Sequence, residues 1–132
     1  MSELPRRVLI VDNDEGLVEA LSIRLSDAGF DCTTASSGSQ GISLFQDDWF
    51  DVVLTDLNMP SGDGLSLIRG IRSSSELPVV VMTGFESSYS EELQEYGQVF
   101  LVRKPFEIDS LIDEIEIAIG LSASCVDDGS LG

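Results

Sequence analysis

Histidine is absent from the 132 residues, lysine occurs once, at Lys104, and cysteine twice, at Cys32 and Cys125. Without histidine there is no Ser-His-Asp or Cys-His catalysis, no histidine-bearing zinc site and no phosphohistidine donor of a relay. Two cysteines so far apart match neither a metal-ligand spacing nor a disulfide framework, which points to reduced thiols and a cytoplasmic location. Long apolar runs are missing too: although 42% of residues are hydrophobic, none of the runs approaches the ~18 residues of a membrane span, so we expect a soluble chain without membrane contact. The opening Met-Ser-Glu-Leu-Pro-Arg-Arg leads only to Val8–Val11 before Asp12 interrupts, which is not a secretory signal.

Positive charge is scarce. Six arginines and one lysine face 24 acidic residues, for a net charge of −17. Such a surface repels phosphate backbones, so direct contact with nucleic acid is not expected. The acidic excess can serve solubility, a salt-rich habitat or the steering of a partner, and composition does not choose among these. Any chemistry must run on carboxylates, hydroxyls and one lysine.

What is there is a regular alternation. Short apolar runs at Val8–Val11, Phe30–Ala35, Val52–Thr55, Val79–Thr83 and Val99–Val102 are each followed by an amphipathic stretch, at 15–28, 38–47, 64–72, 87–96 and 107–120. Five strand–helix units of this kind predict an α/β fold, a parallel sheet covered on both faces, because continuous apolar strands such as Val79-Val80-Val81-Met82 suit burial from both sides. Gly29 after the first helix and Pro78 before the fourth strand punctuate the same pattern. The length fits one domain, 5–121. Residues 122–132 lack periodicity and read as a flexible, frayed tail or the start of a linker.

In open parallel sheets the ligand site lies outside the carboxyl ends of the strands. Those ends carry Asp12-Asn13-Asp14, then Asp56-Leu57-Asn58-Met59-Pro60, then Thr83-Gly84, then Lys104-Pro105-Phe106. Crowded carboxylates favour a hard divalent cation, and Mg²⁺ fits that chemistry. Asp56 could then attack phosphorus as a carboxylate nucleophile, with Lys104 and the Thr83 hydroxyl meeting phosphoryl oxygens. Taken alone, Asp12-Asn13-Asp14 reads first as a polar turn capping the first helix, and Thr83 has the alternative of a plain β-branched strand residue. Asp56 and Lys104 in register tip the balance toward a site. Asp63-Gly64 reads as a structural turn, and Phe45, Trp49 and Phe50 as core or rim packing.

In this order the motifs resemble the response-regulator receiver family of two-component signalling, from about Val8 to Leu121. The most specific pieces are Asp56 with the Met59-Pro60-Ser61-Gly62-Asp63-Gly64 turn, Thr83-Gly84, and Lys104-Pro105-Phe106. The resemblance implies a doubly wound, flavodoxin-like sheet of five strands in the order 2-1-3-4-5 with five helices. It implies Asp56 as phosphoacceptor, Lys104 and Thr83 as phosphoryl-sensing residues, and Mg²⁺ held by Asp12, Asn13, Asp56 and the Asn58 backbone carbonyl, with Asp14 as a reserve ligand. A cis Lys104-Pro105 bond would follow suit. The chain would be an autocatalytic phosphoacceptor rather than an enzyme, with a sensor histidine kinase or phosphotransfer protein upstream and a partner protein or effector domain downstream. Homodimerisation on activation is one further implication, which these residues do not decide.

Two positions depart from the family pattern. The second acid after the first strand is Asn13, whose amide ligates without charge and predicts weaker Mg²⁺ binding. Three residues before the lysine, where an aromatic is usual, stands Leu101, and the neighbouring Phe100 should point to the opposite face of its strand. These departures define an alternative, a degenerate receiver acting as a constitutive interaction module. A third reading, a phosphatase with an aspartate nucleophile, is opposed by Asn58 where such enzymes carry a second acid. Flavin binding is opposed by the lack of a phosphate-cradling loop after the first strand.

Overall fold

The computed structural model describes residues 6–57, 63–84 and 96–131. Five strands, β1 (Arg7–Val11), β2 (Asp31–Ala35), β3 (Val52–Asp56), β4 (Val79–Thr83) and β5 (Val99–Arg103), alternate with helices α1 (Glu15–Asp27), α2 (Gly38–Asp47), α3 (Asp63–Arg72) and α4 (Ile108–Leu131). The sheet is parallel throughout, in the order β2-β1-β3-β4-β5. This is the doubly wound, flavodoxin-like arrangement that the alternating pattern and the resemblance predict. Of the fourth expected helix, 87–96, all but Tyr96 lies outside the described residues, so four helices stand among the described ones.

Alternation along the strands feeds two separate cores. Leu9, Val11, Val53, Val79 and Val81 point to one face and pack with Leu67, Ile68 and Ile71 of α3. Val8, Ile10, Leu54, Val80 and Met82 point to the other, against Leu21 and Leu25 of α1 and Leu111, Ile115 and Ala118 of α4. With all ten of those strand residues buried, each apolar run must be apolar at every position, and each fully buried aliphatic side chain contributes roughly 1.5–3 kcal/mol. Together the two cores fix β1, β3 and β4 in the middle of the sheet, whose ends carry the candidate residues.

Local chemistry sets the helix ends. Asp14 caps α1, its Oδ1 accepting from the Leu17 amide at 3.2 Å, and Ser37 caps α2 by accepting from the Gln40 amide at 3.1 Å, as short polar side chains do at this position. Beyond α1, Gly29 takes a positive φ of 100° and its amide bonds back to the Ser26 carbonyl, which is why glycine stands there. The C-terminal helix runs through residues 122–131, where the absence of periodicity suggested a tail or linker. No proline interrupts that stretch, so the backbone can continue helical without a matching apolar stripe.

Candidate functional site

The first, third and fourth strands end together, and the site grows from those ends. Asp12 directly follows β1 and its amide bonds to the Ala35 carbonyl at the end of β2, so the sheet itself holds the residue in place. Its side chain is 1% exposed. Asp56 is the last residue of β3 and is 4% exposed, while Thr83 ends β4 and is 6% exposed. Past Asp56 the chain remains tied to the sheet, the Leu57 amide donating to the Met82 carbonyl.

Lys104 enters from the end of β5. Its amide donates to the Thr83 carbonyl at 2.7 Å, and the Lys104-Pro105 bond is cis. The ammonium lies between the two acids, Nζ standing 3.5 Å from Asp12 Oδ2 and 3.5 Å from Asp56 Oδ2. One ammonium thus lies beside two buried carboxylates, and bringing such like charges together away from water is costly. Asp12 registers this: burial pushes its carboxyl pKa up, the Asp14 amide hydrogen bond pulls it down, and then the Asp56 charge raises it against Lys104.

The acidic turn divides its labour. Asp12 faces the site and accepts from the Asp14 amide at 2.9 Å, Asn13 is exposed, and Asp14 spends one oxygen on the α1 cap. Both readings of Asp12-Asn13-Asp14, site and cap, thus describe different residues of one turn. Among the described residues no group of three or more histidine, cysteine or acidic side chains is gathered to hold a metal. The local donors are two carboxylates, Asp12 and Asp56, with the Asn13 amide beside them; Asn58 lies outside the described residues. That set still suits Mg²⁺, which is commonly held by one or two carboxylates completed by water and phosphate oxygens.

Close approach explains the glycine in the first turn of α3. A Cβ on Gly64 would stand 2.5 Å from the Asp56 carbonyl oxygen and 2.8 Å from Leu57 Cα. Asp63-Gly64, read from the sequence as a turn, is the point where α3 starts against the backbone of Asp56. On β5, Phe100 packs toward the α1 and α4 core and Leu101 faces away, 47% exposed, the opposition that strand alternation requires.

Two arrangements were not legible in the sequence. Lys104 reaches Asp12 as well as Asp56, a contact across the sheet end that no spacing announces. Arg7 holds the other end of the sheet: it binds Asp48 with two hydrogen bonds of 2.6 and 2.8 Å and lies 5.2 Å from the centres of both the Trp49 and the Phe50 rings.

Comparison with known proteins agrees with this geometry. The response regulator receiver domain family matches residues 8–116. The transcriptional regulatory protein GlrR of Escherichia coli is 32% identical over 130 residues, 97% of this chain but 29% of the relative, so the chain spans under a third of that protein. Among solved structures, the receiver domain of Francisella response regulator 1452 superposes with a TM-score of 0.79 at 28% identity, covering 89% of this chain and 98% of that one. NtrX from Brucella abortus superposes with a TM-score of 0.82 at 26% identity over 96% of this chain and 29% of its own. The buried pair of acids, the lysine between them and the sheet that presents them make this chain a member of the response regulator receiver domain family of two-component systems.

Proposed function

We propose that Asp56 accepts a phosphoryl group from a sensor histidine kinase or phosphotransfer protein, and that the resulting acyl phosphate changes which partner the domain binds. The observation that carries this reading is the placement of Asp56 beside Lys104 Nζ at 3.5 Å, with Asp12 at the same distance from that ammonium. A carboxylate oxygen of Asp56 attacks phosphorus, the bond from phosphorus to the donor imidazole nitrogen breaks, and the imidazole keeps that electron pair and takes a proton. Lys104 offsets charge on a phosphoryl oxygen, and the Thr83 hydroxyl accommodates another. Asp12, Asn13, Asp56 and the Asn58 carbonyl would hold Mg²⁺, which when bound supplies positive charge to the phosphoryl oxygens. Asp14, with one oxygen committed to the α1 cap, is the reserve ligand.

The chain acts as a switch that modifies and restores itself, not as an enzyme turning over external substrates. No helix among the described residues is long and apolar enough to cross a membrane; the proposed site of action is the cytoplasm. We place the domain at 5–121, followed at 122–132 by a tail or the start of a linker. Mapping the adduct tests the reading: after incubation with phosphoramidate and Mg²⁺, borohydride reduction should convert Asp56 alone to homoserine in the peptide mass spectrum. Conversion at another acid, or at none in folded protein, would return the chain to the constitutive interaction module.

A further inference from the structure

The mouth of the site is acidic beyond what Mg²⁺ coordination uses. A cleft of about 420 Å³ between α1 and the β2–α2 connection is lined by Asp12, Glu15 and Glu19. A second, of about 390 Å³, is lined by Asp14 and Lys104. Asp14, Glu15 and Glu19 are all exposed, so they present their charge to the solvent a donor must cross. Little positive charge stands at the clefts themselves: among the described residues no arginine lines either of them, and the one cation that does, Lys104, already faces Asp12 and Asp56.

We propose that this acidic rim sorts phosphoryl donors by charge, slowing small dianionic donors such as acyl phosphates relative to donors carrying less negative charge. The inference rests on Asp56 being the phosphoacceptor and concerns only how donors reach it. A field of one sign at the mouth of a site changes encounter rates by factors of ten or more, and salt removes the effect by screening. Glu15 and Glu19 line a cleft that includes neither Asp56 nor Lys104, so their contribution should vanish in high salt while the chemistry at Asp56 remains.

The test compares the rates of phosphoryl addition from acetyl phosphate and from phosphoramidate, at Mg²⁺ raised until further addition has no effect. KCl is varied from about 0.01 M to about 1 M, where the Debye length falls from about 30 Å to about 3 Å. We expect the acetyl phosphate rate to rise about three- to ten-fold and the phosphoramidate rate to rise less. The double substitution Glu15→Gln with Glu19→Gln should raise the acetyl phosphate rate at low salt by about two- to five-fold and converge with the wild type at high salt. A salt response that is flat, falling or equal for the two donors overturns the proposal, as does a double variant that matches the wild type at low salt. Absence of any adduct from either donor would instead overturn the assignment of Asp56.

Discussion

The two ends of the sheet treat charge in opposite ways. At the amino end Arg7 is the centre of a closed arrangement: Asp48 takes its guanidinium in two hydrogen bonds, Asp31 stands 3.5 Å from its Nε, and Asp51 accepts from its amide at 2.8 Å. Trp49 and Phe50 flank the guanidinium. One cation meets more than enough anions, on a surface where the anions are partly hydrated. At the carboxyl end Lys104 likewise faces more than one carboxylate, but there Asp12 and Asp56 are buried and cannot turn to water. Similar chemistry therefore ties the chain together in partly hydrated surroundings at one end and gathers like charges in buried surroundings at the other, and the difference is burial.

Removing the shared cation should break this comparison most strongly. Lys104→Met is expected to slow phosphoryl addition by about 10²–10³-fold, the usual consequence of losing one charge-stabilising donor, measured by intact mass against time. Next in size is Gly64→Ala, which forces a Cβ against the Asp56 carbonyl; overpacking of this kind costs about 1–3 kcal/mol in urea unfolding and shifts Asp56 itself. Asp12→Asn should sharpen the contrast, because it removes one of the two like charges. Stability is expected to rise by about 1 kcal/mol while Mg²⁺-dependent labelling falls, the exchange of stability for function seen at many active sites.

The smallest effect belongs to the amino end. The Arg7 hydrogen bond, with help from the Trp49 amide, lowers the Asp48 pKa from 3.8 to about 2. A depressed folded-state pKa means that Asp48 contributes stability above its unfolded value, and that this contribution is lost as pH falls from about 4 toward about 2. Asp48→Asn should flatten that part of the acid-unfolding curve and leave phosphoryl addition at neutral pH unchanged.

How much of this was legible in the sequence follows from where the information lies. Strands buried on both faces must be apolar at every position, so Val79–Met82 and Val52–Leu54 announced a parallel sheet. The strand ends, with Asp56 and Lys104-Pro105, announced the candidate residues. Gly64 could be read as a turn but not as a contact with the Asp56 carbonyl, because that approach depends on where α3 begins. Arg7 gave no signal, since its partners lie 24 or more positions away and meet it only once β1, β2 and β3 align. The sharing of Lys104 by two acids was hidden for the same reason, a contact spanning 92 positions.

The central claim is that Asp56, beside Lys104 and Asp12, is the phosphoacceptor. It is tested most directly by intact mass after incubation with phosphoramidate, with and without Mg²⁺, for wild type and Asp56→Asn. The account predicts addition of one phosphoryl group only to the wild type and only with Mg²⁺, at a higher Mg²⁺ concentration than Asn13→Asp requires. An equal adduct on Asp56→Asn, or none on folded wild type at any Mg²⁺ concentration, would contradict it.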